Sequence, residues 1–191
     1  MTIMRHWFTR FRFVIALSGS LAAFFTFVPA TAQTARQATV LDELFAELRT
    51  APDPATAQRI TAAIWQIWTH PDDPELAARM SEVLQRLGMA DYAATVALLD
   101  RLVIDYPDYA EGWNQRATVH FLLRNFDRSL ADIETTLALE PRHFGALAGR
   151  ALIHLELGQR DLALQAIKDA LAIHPFLSER GLFPELNAIT I

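Results

Sequence analysis

From Pro107 to Pro175 the chain repeats itself every 34 residues, and that period restricts its fold more than any other feature. Pro107, Pro141 and Pro175 mark the ends of three successive units. Ahead of each proline the same columns carry the same kind of side chain: Tyr92, Phe126 and Arg160; Thr95, Ser129 and Ala163; Leu99, Ile133 and Ile167; Val103, Leu137 and Leu171. In the front half of each unit Val83, Ala117 and Ala151 fall in register, as do Arg79, Trp113 and Leu147. A unit of this length is too short to bury an apolar face alone, so neighbours must stack to make a continuous core. Small residues at Ala117, Ser129, Ala151, Ala163 and Ala170 let two helix backbones approach. Trp113, Phe126, Ile133, Leu147 and Ile167 are expected to fill the space between them. Each proline ends a helix, because it cannot continue one. Gly158 falls in a turn, where its positive φ costs little.

A tryptophan early in the unit, small residues at two close-packing points and a terminal proline resemble the tetratricopeptide repeat. The fold class expected is therefore all-α: a helical-repeat solenoid of antiparallel helix pairs. Repeats are expected over 75–108, 109–142 and 143–176. A linker and irregular N-terminal hairpin (33–74) would cap the stack at one end, and an apolar segment over 177–191 would cap the other. In the hairpin, Val40, Leu41, Leu44, Phe45 and Leu48 mark one helix face, and Ile60, Ala63, Ile64, Ile67 and Trp68 mark another. More narrowly, AEGWNQRAT (110–118), Asp132-Ile133, LEPRHFGALAG (139–149) and LDELFAEL (41–48) resemble an exported bacterial group of tetratricopeptide proteins with chloroplast relatives. That group has no assigned activity, so the resemblance implies an interaction module and nothing finer.

The N-terminus points to export. Arg5, Arg10 and Arg12 precede an apolar run from Phe13 to Val28 and then Ala30-Thr31-Ala32, the pattern of a signal peptide over 1–32 cleaved after Ala32. Cleavage takes the formal net charge from −5 to −8, since those three arginines leave and no acid does. The expected location is periplasmic. An uncleaved inner-membrane anchor is the alternative, although the run of 16 residues is short of the ~20 a span needs.

The remaining composition narrows the partners. An acidic chain with a single lysine, Lys168, lacks the basic surface that nucleic acid requires. With no cysteine and six histidines without ligand spacing, no metal site or cofactor is implied. No nucleophile elbow, zinc-protease motif or phosphate loop occurs, so the chain reads as a non-enzyme. The partner expected is a protein, and a homo-oligomer is the other candidate.

In tetratricopeptide repeats the first helices line a concave surface. By alignment the groove here comprises Met80, Leu84, Glu111, Asn114, Thr118, Phe121, Ala148 and Leu152, an apolar lining with a polar patch suited to a helix or extended peptide. Tetratricopeptide domains that grip a C-terminal carboxylate place Lys and Asn, then Asn, then Lys and Arg at positions that here carry Met80 and Leu84, Gln115, and Gly145 and Gly149. None supplies the charge, so that ligand class is disfavoured. Glu82, Arg116 and Arg150 share another column, and Arg86, His120 and His154 follow four residues later. This ladder reads either as an anion- or pH-responsive site or as structural ion pairs between stacked helices. Arg142-His143-Phe144, in the turn between the second and third units, either anchors a partner or caps the preceding helix.

Overall fold

Asp53 and Asp73 each accept hydrogen bonds from the first turn of the helix behind them, and each is followed by proline at the first helical position. The computed structural model, which describes residues 34–187, contains eight α-helices among them. They are α1 (Ala35–Arg49), α2 (Pro54–Thr69), α3 (Pro74–Gly88), α4 (Tyr92–Asp105), α5 (Ala110–Leu122), α6 (Phe126–Leu139), α7 (Phe144–Glu156) and α8 (Arg160–Ile173). Short 3₁₀ turns follow at Ser178–Leu182 and Pro184–Asn187. The expected signal peptide over 1–32 and the last residues of the capping segment, 188–191, lie outside the described residues.

The 34-residue period is written into the backbone of the turns. Ala90, Arg124 and Gly158 hold positive φ at 55°, 59° and 70°. After each, the next N–H returns to a carbonyl of the preceding helix: Asp91 to Arg86 at 3.1 Å, Asn125 to His120 at 2.8 Å and Gln159 to His154 at 2.8 Å. This is the left-handed helix stop that glycine favours, yet only one of the three positions carries glycine.

Packing between paired helices follows the small-residue columns. Ala151, Ala163 and Ala170 are fully buried, and the Ser129 hydroxyl donates to the Ala117 carbonyl at 2.7 Å. Ile133, Leu147 and Ile167 lie in the core. Trp113 and Phe126, expected there too, are half-buried. The Trp113 indole N–H donates to the Pro107 carbonyl at 3.0 Å and its ring carries the Arg116 guanidinium, so it braces the rim of the array.

The N-terminal hairpin departs furthest from expectation. Rather than only capping α3, α1 and α2 cross the array, and their buried residues Leu41, Phe45, Leu48, Ile64 and Trp68 form one core with Phe144, flanked by Ile173 and Leu177. The reason is aromatic surface: Trp65, Trp68 and Phe45 need an apolar seat, and the start of α7 provides it. Two polar contacts reinforce the crossing. Arg142 reaches Asp42 at 2.6 Å, and His174 meets Thr61 at 2.8 Å. At the far end, Phe183 is fully buried against α7 and α8, and Arg160 grips Glu185 with two nitrogens. Phe176 and Leu182 stay exposed. Among the described residues no helix is long and apolar enough to cross a membrane.

Candidate functional site

The hairpin divides the concave surface into a filled part and an open part. In the filled part, the His143 ring stacks flat on Trp68, with centroids 4.0 Å apart and planes 8° from parallel. His143 Nδ1 accepts from the Ala146 N–H as the N-cap of α7, so Nε2 carries the proton and donates to Glu111 at 2.9 Å. Glu111 also accepts from Asn114 and Gln115. The Tyr109 hydroxyl donates to the Trp68 carbonyl, and burial raises its pKa well above that of an ordinary phenol. Glu111, expected to line a groove, is thus buried against His143.

The turn 142–144 also belongs to the filled part. Arg142 binds Glu140 and Asp42 and lies over the Phe45 ring at 4.4 Å. These carboxylates, Glu140 first, raise its pKa further. Phe144 packs against Phe45, Trp65, Trp68 and His174. The partner that this turn anchors is the chain's own hairpin.

The open part is a cavity of about 680 Å³, within the range of ligand and anchor pockets. α5 contributes Asn114, Thr118 and Phe121, and α7 contributes Ala148, Gly149 and Leu152. One wall is α2, with Gln58, Thr61 and Trp65 at i, i+3 and i+7; the other is the segment after α8, with His174, Phe176 and Glu179. Asn114, Thr118, Phe121, Ala148 and Leu152 therefore line the cavity, while Met80, Leu84 and Glu111 do not. Met80 is fully buried and Leu84 packs beside it, because α3 turns this face onto α4, Tyr109 and Val119.

Sequence alignment missed the two walls. Nothing in a 34-residue template places the hairpin or the tail over the groove. The available signal was Trp65, an aromatic just off the apolar stripe of α2, opposite the paired glycines of α7.

His174 holds a defined tautomer. Its Nδ1 accepts from the Phe176 N–H, so Nε2–H donates to the Thr61 hydroxyl, which itself donates to the Ala57 carbonyl. Burial lowers its pKa.

The charged ladder lies elsewhere and does not line the cavity. Arg116 binds Asp132 through two nitrogens at 2.8 and 2.7 Å and Asp100 at 3.0 Å, and the Asp132 bonds raise its pKa. Arg150 pairs with Asp169 at 3.3 Å, and Glu82 faces Arg86 at 4.0 Å. His120 is buried with its pKa lowered by desolvation, and His154 bonds Gln159. All three ladder arginines, Arg86, Arg116 and Arg150, face the chain's own carboxylates.

No family model matches the chain. A TPR repeat-containing protein of Rhizobium etli is 37% identical over 135 residues, which make up 71% of this chain and 66% of that relative. The chain is a tetratricopeptide-repeat protein. It spans just under two thirds of that relative's length. Among solved structures, a crystal structure of MamA is 18% identical with a TM-score of 0.48, over 71% of this chain and 76% of that one. Another MamA crystal form is 16% identical with a TM-score of 0.47, over 82% of this chain and 98% of that one. The cavity is the part of its concave face that the hairpin leaves open.

Proposed function

We propose that this tetratricopeptide protein is a non-enzymatic binding or scaffold module of the cell envelope, and that its cavity receives a segment of a protein partner. The observation that carries this is the contrast across the concave face. The hairpin fills the half around Glu111 and His143, while the half lined by Asn114, Thr118, Phe121 and Leu152 stays open. An apolar pocket with a few convergent polar groups marks contact. Export rests on the basic, apolar and small-residue order of residues 1–32. It predicts a mature chain beginning at Gln33, whereas a chain retaining those residues would instead be a membrane tether.

The test is site-specific photo-crosslinking in native cells with the probe at exposed Thr118 and a control at exposed Glu134 on α6. A foreign protein adduct at Thr118 alone supports the reading. No protein adduct, or equal adducts at both positions, refutes it.

A further inference from the structure

α7 carries glycine at two positions one helical turn apart, Gly145 and Gly149. A helix-interior glycine costs about 1 kcal/mol relative to alanine. At Gly145 the close approach of α2 offsets that cost: a Cβ placed there would lie 2.9 Å from the Trp65 indole. Gly149 has no such occupant. A Cβ there would meet only Ile133 Cδ1, at an ordinary 3.6 Å, and the position opens into the cavity.

We propose that Gly149 is the seat for a bulky apolar side chain, aromatic or large aliphatic, on a helix of the partner protein, docked as α2 docks at Gly145. This rests on the cavity being the partner site and names the chemistry that fills it. The site is continuous with a surface that already holds a helix, since Trp65 and Phe144 border both. Small residues on the walls, Ala148 and Thr118 with Gly149, allow a second helix backbone to come close.

Charge selects the edge of that helix. Glu179 is the single charged side chain among the lining residues, and none is lysine or arginine. In a chain of net charge −5, this favours a partner helix with Lys or Arg facing Glu179 and no carboxylate turned inward.

The test uses the full chain, crosslinked in cells from Thr118, with the attached partner segment mapped by mass spectrometry. It is run in the wild type and in Gly149→Leu, Gly149→Ala and Glu179→Lys. The mapped segment is expected to be helical, with a bulky apolar residue and a neighbouring basic one. Gly149→Leu fills the seat and should cut the adduct about tenfold at unchanged helical circular dichroism; Gly149→Ala should cut it less. Glu179→Lys, at a half-buried position outside the α-helices, should also cut it, and keeps the test open should Gly149→Leu fail to fold. A foreign adduct of wild-type yield in a folded Gly149→Leu, or in Glu179→Lys, overturns the proposal while the binding reading stands. So does a mapped segment that is acidic or proline-rich, or that comes from a second copy. Absence of any protein adduct overturns both.

Discussion

Replacing Phe144 with alanine should unseat the N-terminal hairpin and leave the repeats behind it folded. Phe144 is 2% exposed, and its ring lies 5.3 Å from Trp68, 5.6 Å from Trp65, 6.4 Å from Phe45 and 5.2 Å from His174. Deleting a buried phenylalanine ring costs about 3–5 kcal/mol. Three of the four neighbouring rings belong to the hairpin, so the loss falls mainly on its docking. At about 1.4 kcal/mol per tenfold, even the low end raises the undocked population by about a hundredfold or more. Hydrogen exchange resolved by segment is the assay. Amides of α1 and α2 should exchange about a hundredfold faster, while those of α5 and α6 keep their protection. Ile167→Ala, in the α7–α8 core, serves as the contrast and should loosen that pair first. Unchanged protection in α1 and α2, or an equal loss in α5 and α6, would refute the view that Phe144 acts as the hairpin's seat.

Ala90→Gly should raise Tm by roughly 2–4 °C, because Ala90 holds φ 55° at a helix stop that glycine adopts without strain; Gly158→Ala, at φ 70°, should lower it by a similar amount. Asp132→Asn strips Arg116 of its two-nitrogen partner. With Arg116 18% exposed and Asp100 still in place, chemical denaturation should show a loss of about 2–3 kcal/mol, below the cost for a fully buried pair. Stability should also fall in mild acid. His174 and His120 have folded pKa values below the ordinary histidine value of about 6.5. The unfolded chain therefore binds protons first, and their contribution is complete above that value and is lost as pH falls through the folded pKa values. Urea midpoints at pH 7.5 and 5.5 should differ, and His174→Gln should reduce the difference; a pH-independent midpoint would contradict the assignment.

The repeat array was legible because its information is local and periodic. Prolines at 107, 141 and 175, the alanine columns and the apolar stripes each act within a unit or on the next one, which is what a 34-residue comparison detects. The positive-φ turns at Ala90 and Arg124 were hidden, since neither residue type favours that conformation and the backbone bonds from Asp91 to Arg86 and from Asn125 to His120 hold it. The site was half legible for a related reason. Alignment placed Asn114, Thr118 and Leu152 on the concave side, but it could not show that Glu111 faces His143 or that Trp65 fills the space at Gly145. The Trp65 contact brings in a segment outside the period, and the Glu111–His143 bond, though between adjacent units, involves residue types that the aligned positions of the other units do not carry. Trp113 is an intermediate case: the repeat template assigns it to the interior, and it does pack against the core of α3, α4 and α5, but the Pro107 carbonyl and the Arg116 guanidinium keep it half-buried.

The hairpin's crossing also sets the order in which this chain becomes finished. In an open solenoid each repeat touches only its neighbours, so folding advances unit by unit. Here Asp42 meets Arg142 across 100 residues, and Thr61 meets His174 across 113. Contacts so distant in sequence slow folding and couple its ends. Synthesis runs from the N-terminus, so α1 and α2 emerge first while the surface they rest on, α7 and the end of α8, emerges last. Until then Phe45, Trp65 and Trp68 lack the Phe144 side of their seat, and that interval leaves aromatic surface uncovered. Loss of the last helix pair would orphan the first one, so the chain's beginning depends on its end.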